Sequence, residues 1–457
     1  MNFEDRLRDH LTAAARRPAQ VPSWSRFAPS AHRRLRLRRL AAAGAAALIG
    51  VATLSAYAAL APSDRRAADI AHRPRTLVSN CGSAEPPSTG PLGAVALLRG
   101  TTAALVDVTS RDETVLVDDA RSADDGGGIS FSPSGAWVAI DGRRLVPARG
   151  GEPCLPAGSE AHSLAWSPAE DVFAVQRADG LWVGPPDGSL ERIVGGALEV
   201  TSFTFDPSGD RVALAATAVD GERLVMVAEI DGGSVEEIKS YGVRSGVVPK
   251  IAGWSPDGEW VFYWTEFDSA SLSADGAPLV ALRSGGRVVQ VVDVMLTERD
   301  LLDWCGETLV ASAGGGRSIT EGKRLIVADG PDWSPSEIAE QPGGSVFYPD
   351  CASNGTAVTA TFTENRFEPR FGIAPRRLTM VGLHGDASVS LGPGEGGRWS
   401  KSGNELLFVR RRLRPLGPAR LMLGPIGSEP LELAPLGRVA SRYGDYDYDR
   451  RFDWFQP

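Results

Sequence analysis

One stretch, Gly253-Trp254-Ser255-Pro256-Asp257-Gly258-Glu259-Trp260-Val261-Phe262, limits what this chain can fold into. Pro presets φ at the first corner of a β-turn, Asp suits the second, and Gly accepts the backbone angles that follow. The flanks are aromatic and β-branched and read as strands. The unit is therefore a β-hairpin, and a lone hairpin is marginal in water. Its neighbours have to complete the core.

Those neighbours are copies of it. Phe131-Ser132-Pro133-Ser134-Gly135 stands before an apolar strand, as do Trp166-Ser167-Pro168, Phe205-Asp206-Pro207-Ser208-Gly209 and Trp399-Ser400-Lys401-Ser402-Gly403. Degraded copies begin at Trp304 and Cys351. With anchors at Phe131, Trp166, Phe205, Trp254, Trp304, Cys351 and Trp399, the steps are 35, 39, 49, 50, 47 and 48 residues. Repeats of roughly 40–50 residues built from short strands are the signature of propeller blades. Trp333-Ser334-Pro335-Ser336 breaks the phase and reads as an ordinary turn.

Three strands without an anchor, around Val95–Leu98, Ala103–Val108 and Thr114–Val117, precede the first copy. The chain ends on an anchor without a hairpin, Phe452-Asp453-Trp454-Phe455. The expectation is that the tail inserts beside the first three strands and closes the ring, removing two sheet edges. This gives an all-β propeller of four-stranded blades, eight by count. Seven stays open, because the unit from 131 to 166 is short. The aromatic-Ser-Pro-Asp-Gly turn resembles that of TolB-like, WD-repeat-like propellers over residues 92–457, which implies the fold and leaves the role open.

The N-terminal part has another character. Residues 1–39 hold ten Arg against three acids, a balance of +7. Phe3, Leu7 and Leu11 mark one face of a short helix. Leu40–Pro62 then runs for more than 20 residues without a charge. That length spans a hydrocarbon core of about 30 Å as one transmembrane helix, and the Arg cluster holds the N-terminus in the cytoplasm. A cleaved signal peptide is the competing reading, through Ala56-Tyr57-Ala58, although a 39-residue leader is long for one. Residues 63–91 read as a juxtamembrane linker and 92–457 as the extracytoplasmic propeller. The layout of 1–39 resembles the stubs of membrane-anchored actinobacterial regulators of the anti-sigma type.

Net charge is −9 overall, so the chain after residue 39 carries −16. An acidic globular part argues against a nucleic-acid partner. Cys81, Cys154, Cys305 and Cys351 all follow the apolar run, in what would be an oxidising compartment. Cys305 and Cys351 hold like positions in consecutive repeats and are expected to pair, which leaves Cys81 with Cys154. No motif names a catalytic residue, a cofactor site or a metal site. His162 reads as structural. The Asp-rich run Tyr443–Asp449 reads as a solvated segment. The reading is a cell-membrane, single-pass binding module for a protein, peptide or glycan. The alternatives are a regulator signalling through residues 1–39 to a cytoplasmic partner, and an envelope hydrolase or lyase with a channel site.

Overall fold

The computed structural model describes residues 76–79, 81–158, 161–196, 198–231, 234–268, 275–315, 321–364, 376–385, 388–411, 418–437 and 448–457. These all lie in one unit, Asp69–Pro457. The expected stub and transmembrane helix fall outside the described residues, as does most of the Asp-rich run. Among the described residues no helix is long and apolar enough to cross a membrane.

Eight antiparallel sheets follow one another along the chain. We call them blades I to VIII, starting at Ala94, Ile129, Ser163, Leu198, Val247, Leu302, Gly344 and Glu395. Six have four strands. In blades II to VIII the first strand lies innermost, in blade I the C-terminal strand Phe452–Phe455 does, and innermost strands touch across the I/II, III/IV, IV/V, VI/VII and VII/VIII seams. Every anchor named from the sequence lies at or next to the end of such a strand. The apolar layers lie in the seams between blades. Phe131, Val138 and Ile140 pack with Ala94 and Leu98 across the I/II seam, and Ile251 and Tyr263 pack with Ala213 and Val225 across IV/V.

The motif is understood from its bonds. The Ser after the anchor is almost fully buried at positions 132, 167, 255 and 400. Its hydroxyl accepts the backbone N–H that opens the next strand: Trp260 N–H to Ser255 Oγ at 2.9 Å, Glu405 N–H to Ser400 Oγ at 3.0 Å. Asp206 replaces it in blade IV and accepts from Arg211 N–H at 3.1 Å. A side chain thus supplies the acceptor that the turn withholds from the backbone. Gly258 closes the turn at φ +70°, a left-handed angle natural to glycine. Since strands alternate in direction, these turns gather on one face, the turn face. The short connections between the second and third strands of blades I to IV gather on the opposite face.

The tail closes the ring as expected. Phe452–Phe455 pairs antiparallel with Ala94–Arg99, placing Val95 opposite Trp454 and Ala96 opposite Asp453. The sheet count is eight, not seven. The short unit is indeed incomplete: blade II has three strands, and Cys154, bridged to Leu145, stands where a fourth would begin. Both disulfides join the expected partners, Cys81 with Cys154 and Cys305 with Cys351.

Two readings need correction. The segment 63–91 is not wholly a linker: Thr76–Val78 pairs with Ser189–Glu191 and adds a fifth strand to the rim of blade III. Its pairing partner is remote in sequence, so local pattern could not reveal it. Trp333 does sit in a turn, but its ring is only 3 % exposed. It packs edge-on against Trp260, Phe262 and Trp304 at 4.9–5.9 Å, filling the V/VI seam.

Candidate functional site

The residue before the anchor separates the blades into two kinds. In blades II to V it is Ser130, Ala165, Thr204 and Gly253; in VI, VII, VIII and the closing strand it is Asp303, Asp350, Arg398 and Asp453. Each lies on an innermost strand, and the strands of blades VII and VIII carry bulges just before Asp350 and Arg398. A bulge re-aims the side chain that follows it. The innermost strands of consecutive blades adjoin, so the four charged groups converge around the propeller axis.

Each carboxylate reaches across a seam. Cys351 N–H donates to Asp303 Oδ2, Trp399 N–H to Asp350 Oδ2 at 2.7 Å, and Phe131 N–H to Asp453 Oδ2 at 2.7 Å. Each clasps the anchor of the following blade, so the first role of these acids is to hold the ring together. Arg398 Nη1 stands 3.2 Å from Asp350 Oδ1 and acts electrostatically on all three acids. One guanidinium therefore faces three carboxylates.

That imbalance shows in the protonation equilibria. Burial pushes the Asp350 carboxyl up to about 7, against the pull of Arg398 and with a further push from Asp303. Burial also raises Asp303 and Asp453, opposed by the N–H groups they accept and by Arg398. The Asp350 side chain is still 15 % exposed, so the cluster is open to water or a ligand. Leu301, two residues after Arg299, is fully buried and shares one apolar cluster with Phe347 and Phe452, and Arg299 donates to Phe203 O at 3.0 Å.

Chemically, the cluster can exchange a proton near neutrality and attract a cation. Among the described residues no group of three or more His, Cys, Asp or Glu side chains is arranged to hold a metal ion. The neighbouring Cys305 and Cys351 are tied to each other and offer no thiolate. His162 has an exposed side chain. The disulfide candidates and anchors build the frame around the cluster, and none of the four charged residues stood out in the sequence. The signal was present: aligning the copies on their anchors puts a charge at one fixed position in half of them.

The protonation state should be visible in stability. Asp350 holds a proton in the folded protein to about pH 7 but releases it near 3.8 when unfolded. Between these values the native state binds more protons, so stability falls as pH rises. Asp303 and Asp453 push the same way. Melting temperature is expected to fall steadily from pH 5 to pH 8, and Asp350→Asn should flatten most of that slope. An unchanged slope in the variant would assign the dependence elsewhere.

No protein-family model matches the chain, and no curated protein does either. Solved structures do. Dihydro-heme d1 dehydrogenase NirN, in complex with DHE, aligns over 81 % of this chain and 79 % of its own, at 16 % identity and a TM-score of 0.50. Dipeptidyl peptidase 4 of Porphyromonas gingivalis aligns over 79 % of this chain and 60 % of its own, at 8 % identity and 0.52. A putative TolB from Agrobacterium tumefaciens covers 79 % of this chain and 98 % of its own, at 12 % identity and 0.34. The likeness is one of fold: this chain is a β-propeller, and its neighbours include TolB proteins.

Proposed function

We propose that the protein is a TolB-like propeller held outside the cytoplasm on a single membrane span, and that it binds the cationic part of a protein or peptide at its axis. The observation that carries this reading is the cluster of Asp303, Asp350 and Asp453 around one Arg398. Three half-buried carboxylates opposed by one cation attract a second cation, which would also lower their pKa values. The extracytoplasmic placement is supported by two disulfides, which persist in oxidising compartments. The anchor is supported by the uncharged run 40–62 behind an Arg cluster.

The test uses the full chain in intact membranes. Unreduced protein should resist thiol alkylation at all four cysteines. An impermeant cross-linker should capture a partner with wild type and lose it with the Asp350→Asn/Asp453→Asn double variant. The amides keep an acceptor for the seam N–H groups, so the variant should melt no lower than wild type. Equal capture by both proteins would discard the axial site, and four reactive thiols in a cytosolic fraction would discard the placement.

A further inference from the structure

The face opposite the motif turns carries an exposed apolar corner where blades IV and V meet. Val219 lies in the hairpin tip between the second and third strands of blade IV. It is 88 % exposed, more than any other large apolar side chain among the described residues. Val243 is also exposed and opens the 3-10 turn Val243–Ser245, which leads from blade IV to blade V. Phe267 is exposed at the end of blade V's second strand. These elements are held together. A Cβ added to Gly221, in the same tip as Val219, would lie 3.1 Å from Val243 Cγ2. Asp268 N–H donates to Gly246 O at 2.8 Å, and Arg223 Nη2 pairs with Asp268 Oδ2 at 3.1 Å. The other exposed large apolar side chains are spread over blades I, V, VII and VIII.

Charge does not select a partner for this corner. Arg223 and Arg244 stand against Asp220, Glu222 and Asp268, so neither an acidic nor a basic ligand is favoured. The route of the chain does select one. Thr76–Val78 runs antiparallel to the outer strand of blade III, with Thr76 opposite Glu191 and Val78 opposite Ser189. That outer strand descends from the turn face, so the chain enters Thr76–Val78 from the side of the opposite face, one blade from Val219. Thirteen residues, 63–75, separate this entry from the uncharged run 40–62, a reach of at most about 45 Å. So short a connection holds a bilayer at an effective concentration on the order of millimolar, where weak contact suffices. An exposed valine on a hairpin tip can enter a lipid interface without a shaped pocket. We propose that this corner of blades IV and V rests in the surface of a lipid bilayer, with the turn face looking away from it. The proposal rests on the reading of 40–62 as a membrane span.

The experiment places the full-length protein in phosphatidylcholine vesicles whose lipid carries a diazirine near the headgroup end of one acyl chain. After illumination, lipid adducts are mapped by peptide mass spectrometry. Adducts are expected in 40–62 and again around Val219 and Val243, with none in the motif turns of the turn face. Val219→Asp/Val243→Asp, at exposed positions where the fold should persist, should cut the propeller adducts by about tenfold and leave those in 40–62 unchanged. If this variant melts early, Val219→Ser/Val243→Ser takes its place. Adducts confined to 40–62, or equal on both faces of the propeller, would overturn the proposal and leave the membrane span standing. Adducts in neither place would overturn the span and this proposal with it. Dimers in detergent solution that the double variant abolishes would assign the corner to a second copy of the chain and also overturn the proposal.

Discussion

Deleting residues 452–457 is expected to abolish the folded monomer. Phe452, Trp454 and Phe455 leave three apolar side chains' worth of burial behind them. Fully burying one such side chain contributes about 1.5–3 kcal/mol; Phe452 is buried and Trp454 and Phe455 are half-buried, so the apolar loss alone is about 3–6 kcal/mol. The strand also ties three blades together. Trp454 Nε1 donates to Leu92 O at 2.8 Å, Lys401 N–H donates to Gln456 Oε1 at 2.7 Å, and Phe131 N–H donates to Asp453. The Phe455 ring stands 5.5 Å from that of Phe131. The combined loss rivals the whole stability of a typical domain, about 5–15 kcal/mol. It also bares the edge of Ala94–Arg99, a ready template for pairing between copies. Size-exclusion chromatography should show aggregates or edge-paired oligomers, and a synthetic peptide covering 448–457 should restore part of the monomer. A truncated monomer that melts with wild type would mean the ring does not depend on this closure.

Arg398→Met should be the most damaging single substitution at the axis, and its cost should depend on pH. Removing the guanidinium leaves Asp303, Asp350 and Asp453 without their shared cation. Breaking a fully buried ion pair by deleting one partner costs about 3–5 kcal/mol, because the other charge is left uncompensated; with Arg398 29 % and Asp350 15 % exposed, the cost here should lie towards the low end of that range. Near pH 8 the remaining acids are driven towards ionisation and the full cost applies. Near pH 5 they can carry protons, and much of the cost should vanish. Denaturant unfolding at the two pH values separates this from simple loss of packing, which would cost the same at both. A double variant with Asp350→Asn should recover much of the loss at pH 8.

How much of this could be read from residues alone is clearest at three places. The turn at Ser255–Glu259 announces itself, because Pro, Asp and Gly each have a local conformational reason to be there. Its recurrence set the expectation of eight blades, with seven open, and of the Cys305–Cys351 pair, since like positions in successive repeats become neighbours in space; Cys81–Cys154 followed by elimination. The expected closure by Trp454 followed from the same logic: an anchor without a hairpin and a hairpin set without an anchor complete one another. Thr76–Val78 and Trp333 escaped because their partners, Ser189–Glu191 and the rings of Trp260, Phe262 and Trp304, are distant in the chain.

The periodic sequence by itself therefore determined the wheel, its closing seam and the Cys305–Cys351 staple, all of which rest on local turn chemistry repeated in phase, while eight blades over seven was decided by the structure. Only the tertiary structure decided that Asp303, Asp350, Arg398 and Asp453 meet at the axis, and that Val219, Val243 and Phe267 share a corner. Charge and burial shift one another only over a few ångströms. Such distances between residues tens to hundreds of positions apart exist only once the sheets have closed into a ring.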